Sequence, residues 1–140
     1  MRLAMGEVRV TARLTNAGDE ILVRRGLLQP DEIRTCEVDA LVDTGATRSV
    51  LPPEVVSRLG LAVRGECEAT YADGRRGVVG MTEPIIVELD GRETIEEAIV
   101  LGDDVLIGQT VLEKLDLVVD CHGRRLIQNP RHPDGPVSRV

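Results

Sequence analysis

The 140-residue chain contains no phenylalanine, no tryptophan and a single tyrosine. Its core has to be packed from Val, Leu, Ile and Ala, and a hydrophobic content of 42% is ample for one core at this length. No apolar run approaches the roughly 20 residues that a bilayer-spanning helix needs, so no membrane segment is expected. The opening MRLAMGEVRV has no apolar h-region and is read as lacking a secretory leader. Cations are in the minority. Seventeen Lys and Arg against 24 Asp and Glu leave a formal charge of −7, which argues against a nucleic-acid-binding surface. Such acidity fits a soluble surface rather than a particular ligand. Three cysteines, Cys36, Cys67 and Cys121, lack the number and spacing of a disulfide framework, so a reducing cytoplasm is the expected compartment. Cys121 adjoins His122, but no CxxC or HxxxH partner exists, and no metal site is expected.

What is present is short-range alternation. In EVRVTARL, Val8, Val10, Ala12 and Leu14 face one way and Glu7, Arg9, Thr11 and Arg13 the other, the pattern of a half-buried strand. EILVRRG predicts a second strand after an Asn-Ala-Gly-Asp turn. EIRTCEVDALVD sets Cys36, Val38, Ala40 and Val42 on one face, while Leu41 and the terminal Asp43 share the other. PPEVVSRLG predicts a short helix opened by prolines and closed by Gly60. A run of strands follows, punctuated by Asp73-Gly74 and Asp90-Gly91, both tight-hairpin signals. VLIGQTVLEKLDLVVD reads as strand, glycine break, short helix and strand, and His122-Gly123 then turns the chain into RRLIQ. Residues 131–140 form a polar tail rich in Pro and Gly, expected to be poorly ordered. Short strands at regular spacing, with one or two short helices, predict an all-β barrel or sandwich in one domain over residues 1–130.

Within that pattern, ALVDTGATRSVLP stands out. An apolar strand runs into Asp43, Thr44 and Gly45 and then turns apolar again. An unpaired carboxylate at the end of a buried strand costs several kcal/mol, on the order of 3–5, unless something holds it or uses it. Asp-Thr-Gly alone is a weak signal, because an Asx-type turn places the same residues just past a strand. Its surroundings are more specific. VLIG and then QTVLEKL repeat the strand–glycine–helix arrangement further along, and a hairpin with Asp73-Gly74 at its tip lies between.

With ALVDTGAT, the ADGR hairpin, LIG with the helix after it, and LVVDCHGRRL in this order, the chain resembles the retropepsin-like aspartic proteases. The likeness is to the small bacterial and archaeal members above all, and covers about Gly6 to Pro130. It implies a closed acid-protease barrel acting as a homodimeric aspartic endopeptidase on a peptide or protein substrate. In that family two Asp-Thr/Ser-Gly turns meet across a two-fold axis and share one proton, activating a water between them. This chain has one such triplet, so the resemblance implies one Asp43 from each of two subunits. Thr44 and Gly45 would support the dyad, and Thr44 would hydrogen-bond the partner's turn. Ala46 would border the substrate, and the hairpin carrying Tyr71, Ala72, Asp73 and Gly74 would be the flap that closes over it. No metal or organic cofactor is implied, since carboxylates alone activate the water. The rival reading is a non-catalytic dimeric peptide-binding or interaction module of the same fold.

Other residues receive structural readings. Leu106-Ile107-Gly108 would pack behind the catalytic loop, Asp120 would serve a strand-end turn, and His122 and His132 would lie on the surface. Glu96 and Glu97 read as a solvated strand edge. Retroviral members carry an Asp and an Arg where this chain has Thr47 and Gln109, which implies neutral hydrogen bonds in place of an ion pair. Their chain ends interleave into a shared sheet; whether Leu126 to Gln128 does so here is open.

Overall fold

The computed structural model describes residues 7–140, so most of the segment read as leaderless lies outside the described residues. Alternation in the first strand holds as expected: β1 (Val8–Asn16) buries Val8, Ala12 and Leu14 and exposes Arg9, Thr11 and Arg13. It pairs antiparallel with β2 (Thr35–Val42) along its length and with β6 (Ile85–Leu89) at its far end. The other strands are β3 (Val50–Leu51), β4 (Val63–Thr70), β5 (Arg76–Thr82), β7 (Arg92–Glu96), β8 (Ile99–Val100) and β9 (Val105–Ile107). Together they make a nine-stranded sheet in the order β4-β5-β8-β3-β9-β2-β1-β6-β7. A separate ribbon pairs β10 (Leu117–Asp120) with β11 (Arg125–Gln128). Leu126 to Gln128 thus pairs with its own chain, and Leu126 packs against the core.

The sheet is mostly β and curled, but its hydrogen-bonded order ends at β4 and β7. Among the described residues no ladder joins those two ends. The two Asp-Gly hairpins are where they were read. Asp90 and Gly91 have φ of 51° and 75°, the paired positive values of a type I′ turn, where only Gly, Asn and Asp are at ease.

Among the described residues three α-helices are present rather than one or two. α2 (Pro53–Arg58) and α3 (Gln109–Leu115) match expectation, and Gly60, at φ 62°, closes the first of them. The additional helix, α1 (Ala17–Arg24), replaces the strand predicted over EILVRRG. Asn16 caps it by accepting a hydrogen bond from the Asp19 N–H, 3.1 Å, while its own amide donates to the Leu59 carbonyl, 2.8 Å. Asp19 is 3% exposed and accepts from Arg34 three times: from its backbone N–H (3.0 Å) and from Nε and Nη2 (2.9 Å each). A bidentate guanidinium of this kind is among the stronger pairings available to a carboxylate. It anchors the first turn of the helix beside the start of β2.

The aliphatic core required by the missing aromatics is built from Leu14, Leu51, Leu59, Ile85, Ile107 and Leu115, each essentially inaccessible to solvent. Fully burying side chains of this size contributes about 1.5–3 kcal/mol each. At the end of α3, Asp116 takes a left-handed conformation and its carboxylate accepts from the Asn129 amide, 3.0 Å. The same carboxylate meets His132 Nδ1 at 2.6 Å, so His132 is half-buried instead of lying free on the surface.

Candidate active site

Parallel pairing of β2 with β9 sets Val42 beside Ile107 and brings the ends of both strands to one place. Their sequences, ALV and VLI, are continuous apolar runs, as parallel strands covered on both faces require. The chain leaves β2 at Asp43, whose N–H still donates to the Ile107 carbonyl at 2.9 Å. This last ladder bond fixes the aspartate's backbone rigidly. Its side chain is held as well, because Oδ1 accepts the Gly45 N–H at 3.0 Å and the Asp43 carbonyl accepts the Ala46 N–H at 3.1 Å. A β-carbon on Gly45 would stand 3.2 Å from Oδ1, so glycine leaves the carboxylate its room.

The turn is tied to the start of α3 on its other side. Gln109 and Thr110 donate backbone N–H groups to the carbonyls of Ala46 (2.8 Å) and Thr47 (3.0 Å). Gly108 lies so close to the turn that a β-carbon there would meet the Arg48 carbonyl oxygen at 2.6 Å and the Ser49 nitrogen at 2.8 Å. Only glycine allows this approach. Thr47 thus takes a backbone bond through its carbonyl, while the Gln109 side chain turns to Glu113 at 3.3 Å.

Behind the turn lies a buried polar group that the sequence reading misplaced. Glu96 is 5% exposed, not a solvated edge. It accepts from the Ser49 N–H at 3.3 Å and from the Thr110 hydroxyl, while the Ser49 hydroxyl accepts the Gly108 N–H at 3.0 Å. One carboxylate therefore braces both loops that hold Asp43. β7 inverts the usual pattern, with Ile95 58% exposed beside buried Glu96. Glu97 does stay at the surface, 3.7 Å from Arg64. Asp120 is the turn group expected of it: it accepts the Gly123 N–H and a bond from Arg125, and these hold its carboxyl below the usual range.

Asp43 opens onto a groove of about 610 Å³. Gly45 and Ala46 border it on the turn side, and Tyr71 and Ala72 on the opposite side. Thr44, Asp73 and Gly74 are exposed and lie outside the lining. The groove has an apolar wall of Val50, Ile99, Leu101 and Leu106, so Leu106 faces the site while Ile107, 1% exposed, packs behind it. β4 and the first half of β5 project from the core as a hairpin with most side chains in solvent. Its tip is closed by Tyr71 N–H to Arg75 carbonyl (2.8 Å) and Gly74 N–H to Tyr71 carbonyl (2.9 Å). The Tyr71 ring lies across Gly77, where a β-carbon would meet it at 3.0 Å, and the Arg75 guanidinium sits 5.5 Å from the ring centre.

A single Asp-Thr-Gly turn at the mouth of a groove, under a projecting hairpin and within a curled sheet, defines an aspartyl-protease-like domain. The family model of gag-polyprotein putative aspartyl proteases matches residues 32–114, and the chain belongs to that family. No curated protein matches it. Among solved structures, the retroviral protease-like domain of Ddi1 from Leishmania major is similar in fold. It is 18% identical, with a TM-score of 0.52, over 94% of this chain and 95% of that one.

Sequence reasoning missed Arg48, Ser49 and Thr110. Ser49 and Thr110 adjoin motifs already singled out, but only their partner, buried Glu96, reveals what they do. Arg48 carries no signal in one dimension beyond its place five residues after the aspartate.

Proposed function

We propose that the protein is an aspartic endopeptidase active as a homodimer, with Asp43 of each subunit forming the catalytic dyad. The observation that carries the reading is the Asp43 turn itself: a carboxylate fixed at both backbone and side chain, half-exposed, and facing a peptide-sized groove. Among the described residues of one chain that carboxylate has no acidic mate. The other carboxylate lining the groove, Glu68, is 3.6 Å from Arg76. A second copy of the same turn supplies what is missing.

Two carboxylates about 3 Å apart cannot both ionise, so the pair holds one proton and titrates as a unit. The ionised Asp43 takes a proton from the water between them as its oxygen attacks the scissile carbonyl carbon. The protonated Asp43 gives its proton to the carbonyl oxygen. Collapse of the tetrahedral intermediate then breaks the C–N bond. The departing amine takes the proton gained from the water by the first Asp43, and a hydroxyl of the intermediate returns a proton to the second, which restores the singly protonated pair. The substrate lies extended in the groove, adding strand-like backbone bonds, and the Tyr71–Arg75 hairpin closes over it to exclude water. Carboxylates suffice for this route, with no metal or organic cofactor.

The test is cleavage of a peptide library by wild-type protein and by Asp43→Asn at acidic to neutral pH. Loss of turnover by at least about 1,000-fold in the variant, with the fold intact by circular dichroism, is the expected result. Equal behaviour of both proteins would leave the rival, a non-catalytic peptide-binding module.

A further inference from the structure

Besides Asp43, the groove is lined by two charged side chains, Arg48 and Glu68. Their situations differ. Glu68 is 3.6 Å from Arg76, whereas Arg48 is exposed and has no ion-pair or side-chain hydrogen-bond partner among the described residues. Other exposed arginines without such a partner, Arg25, Arg58 and Arg124 among them, lie outside the groove. Several cations elsewhere on the surface are occupied: Arg9 bridges Asp39 and Asp104, and Arg34, Arg75 and Arg125 each meet an aspartate. Arg48 is also held in place from behind. Its carbonyl packs against Gly108 and the next residue, Ser49, is tied to Glu96, so the guanidinium springs from a fixed backbone. The adjoining wall of Val50, Ile99, Leu101 and Leu106 has no charge of its own.

From this juxtaposition we infer that Arg48 is a specificity-determining residue that selects an acidic side chain beside an aliphatic one in the bound peptide. The apolar wall takes a Leu, Ile or Val side chain, and the guanidinium, with its planar fork of donors, takes a Glu or Asp carboxylate near it. The inference deepens the endopeptidase reading and rests on it for one feature. Two copies of the groove related by a two-fold axis place one Arg48 on each side of the scissile bond. The preferred substrate therefore carries an acidic residue on both flanks of an apolar centre.

The test uses the full chain carrying Asp43→Asn, which binds without cutting. Fluorescent peptides with a central Leu-Leu pair carry Glu, Gln or Lys at each of three positions to either side. At low salt, Glu binds about fivefold more tightly than Lys at one position on each flank, near the upper end of what an exposed ion pair contributes. Arg48→Gln flattens that preference, Arg48→Glu inverts it, and both variants melt with the parent because the side chain is exposed. Raising the salt weakens the discrimination in the parent. An unchanged preference for Glu in Arg48→Glu, a parent without discrimination, or absence of binding overturns the inference. Cleavage of the same peptides by protein with Asp43 intact separates the two claims. Arg48-dependent binding without cleavage keeps this inference for one flank and removes the endopeptidase reading. Asp43-dependent cleavage without Arg48-dependent selection does the reverse.

Discussion

At the scale of single residues, the candidate site depends on groups that do not line its groove. Glu96 stands 47 positions from Ser49 in the chain, yet its two oxygens serve the Asp43 loop and the first turn of α3 together. Replacing it with Ala strands two buried donors, each of which carries a desolvation penalty of about 1–3 kcal/mol. Glu96→Ala is predicted to lose about 2–4 kcal/mol in urea unfolding, and Glu96→Gln, which keeps one acceptor oxygen, about half of that. Gly108→Ala meets the Arg48 and Ser49 backbone rather than a yielding side chain. It is predicted to lose about 1–3 kcal/mol through overpacking, and peptide cleavage should fall with it because the Asp43 loop is what has to move.

At the scale of elements, α1 shows what one dimension conceals. EILV is a short apolar run that fits a strand or a helix equally well, and length alone does not separate them. Asn16 was visible as a turn residue, but its role as a cap depends on Asp19, and the burial of Asp19 depends on Arg34, 15 residues on. The strands β1 and β2 and the Asp90-Gly91 hairpin were legible because alternation and φ requirements are local properties. Asp43 was legible because its neighbours form a motif; Glu96 was not, since a carboxylate in RETIE looks solvated until α3 and Ser49 cover it. The Asp19–Arg34 pair also makes a pH prediction. Hydrogen bonding from Arg34 holds the Asp19 carboxyl below its ordinary range. The unfolded chain, with a value of about 3.9, then binds the proton more readily than the folded one. The pair's stabilisation is complete above that value and is lost as pH falls through the lower folded one. Asp19→Asn should therefore melt below wild type at pH 7, and the gap in melting temperature should narrow below about pH 4.

At the scale of the whole molecule, the chain supplies one turn, one flap-like hairpin and one groove, and its nine-stranded sheet ends at β4 and β7 without joining them. In the proposed dimer each part is half of a two-fold arrangement. On the proposed reading, a monomer built this way has a single Asp43 with which to activate water. The account thus makes activity a property of pairs, falling away on dilution as the dimer dissociates. Light scattering over a concentration series should show a species of twice the chain mass under the conditions where cleavage is fastest.

Mixing wild-type chains with Asp43→Asn chains, co-refolded from denaturant so that subunits pair at random, tests the shared dyad most directly. If each active centre needs an ionisable Asp43 from both partners, activity per total protein follows the square of the wild-type fraction, about a quarter of the full value in an equal mixture. Activity that instead tracks the wild-type fraction in direct proportion, about half at equal mixing, would mean that one chain works alone, in contradiction to the proposed two-chain site.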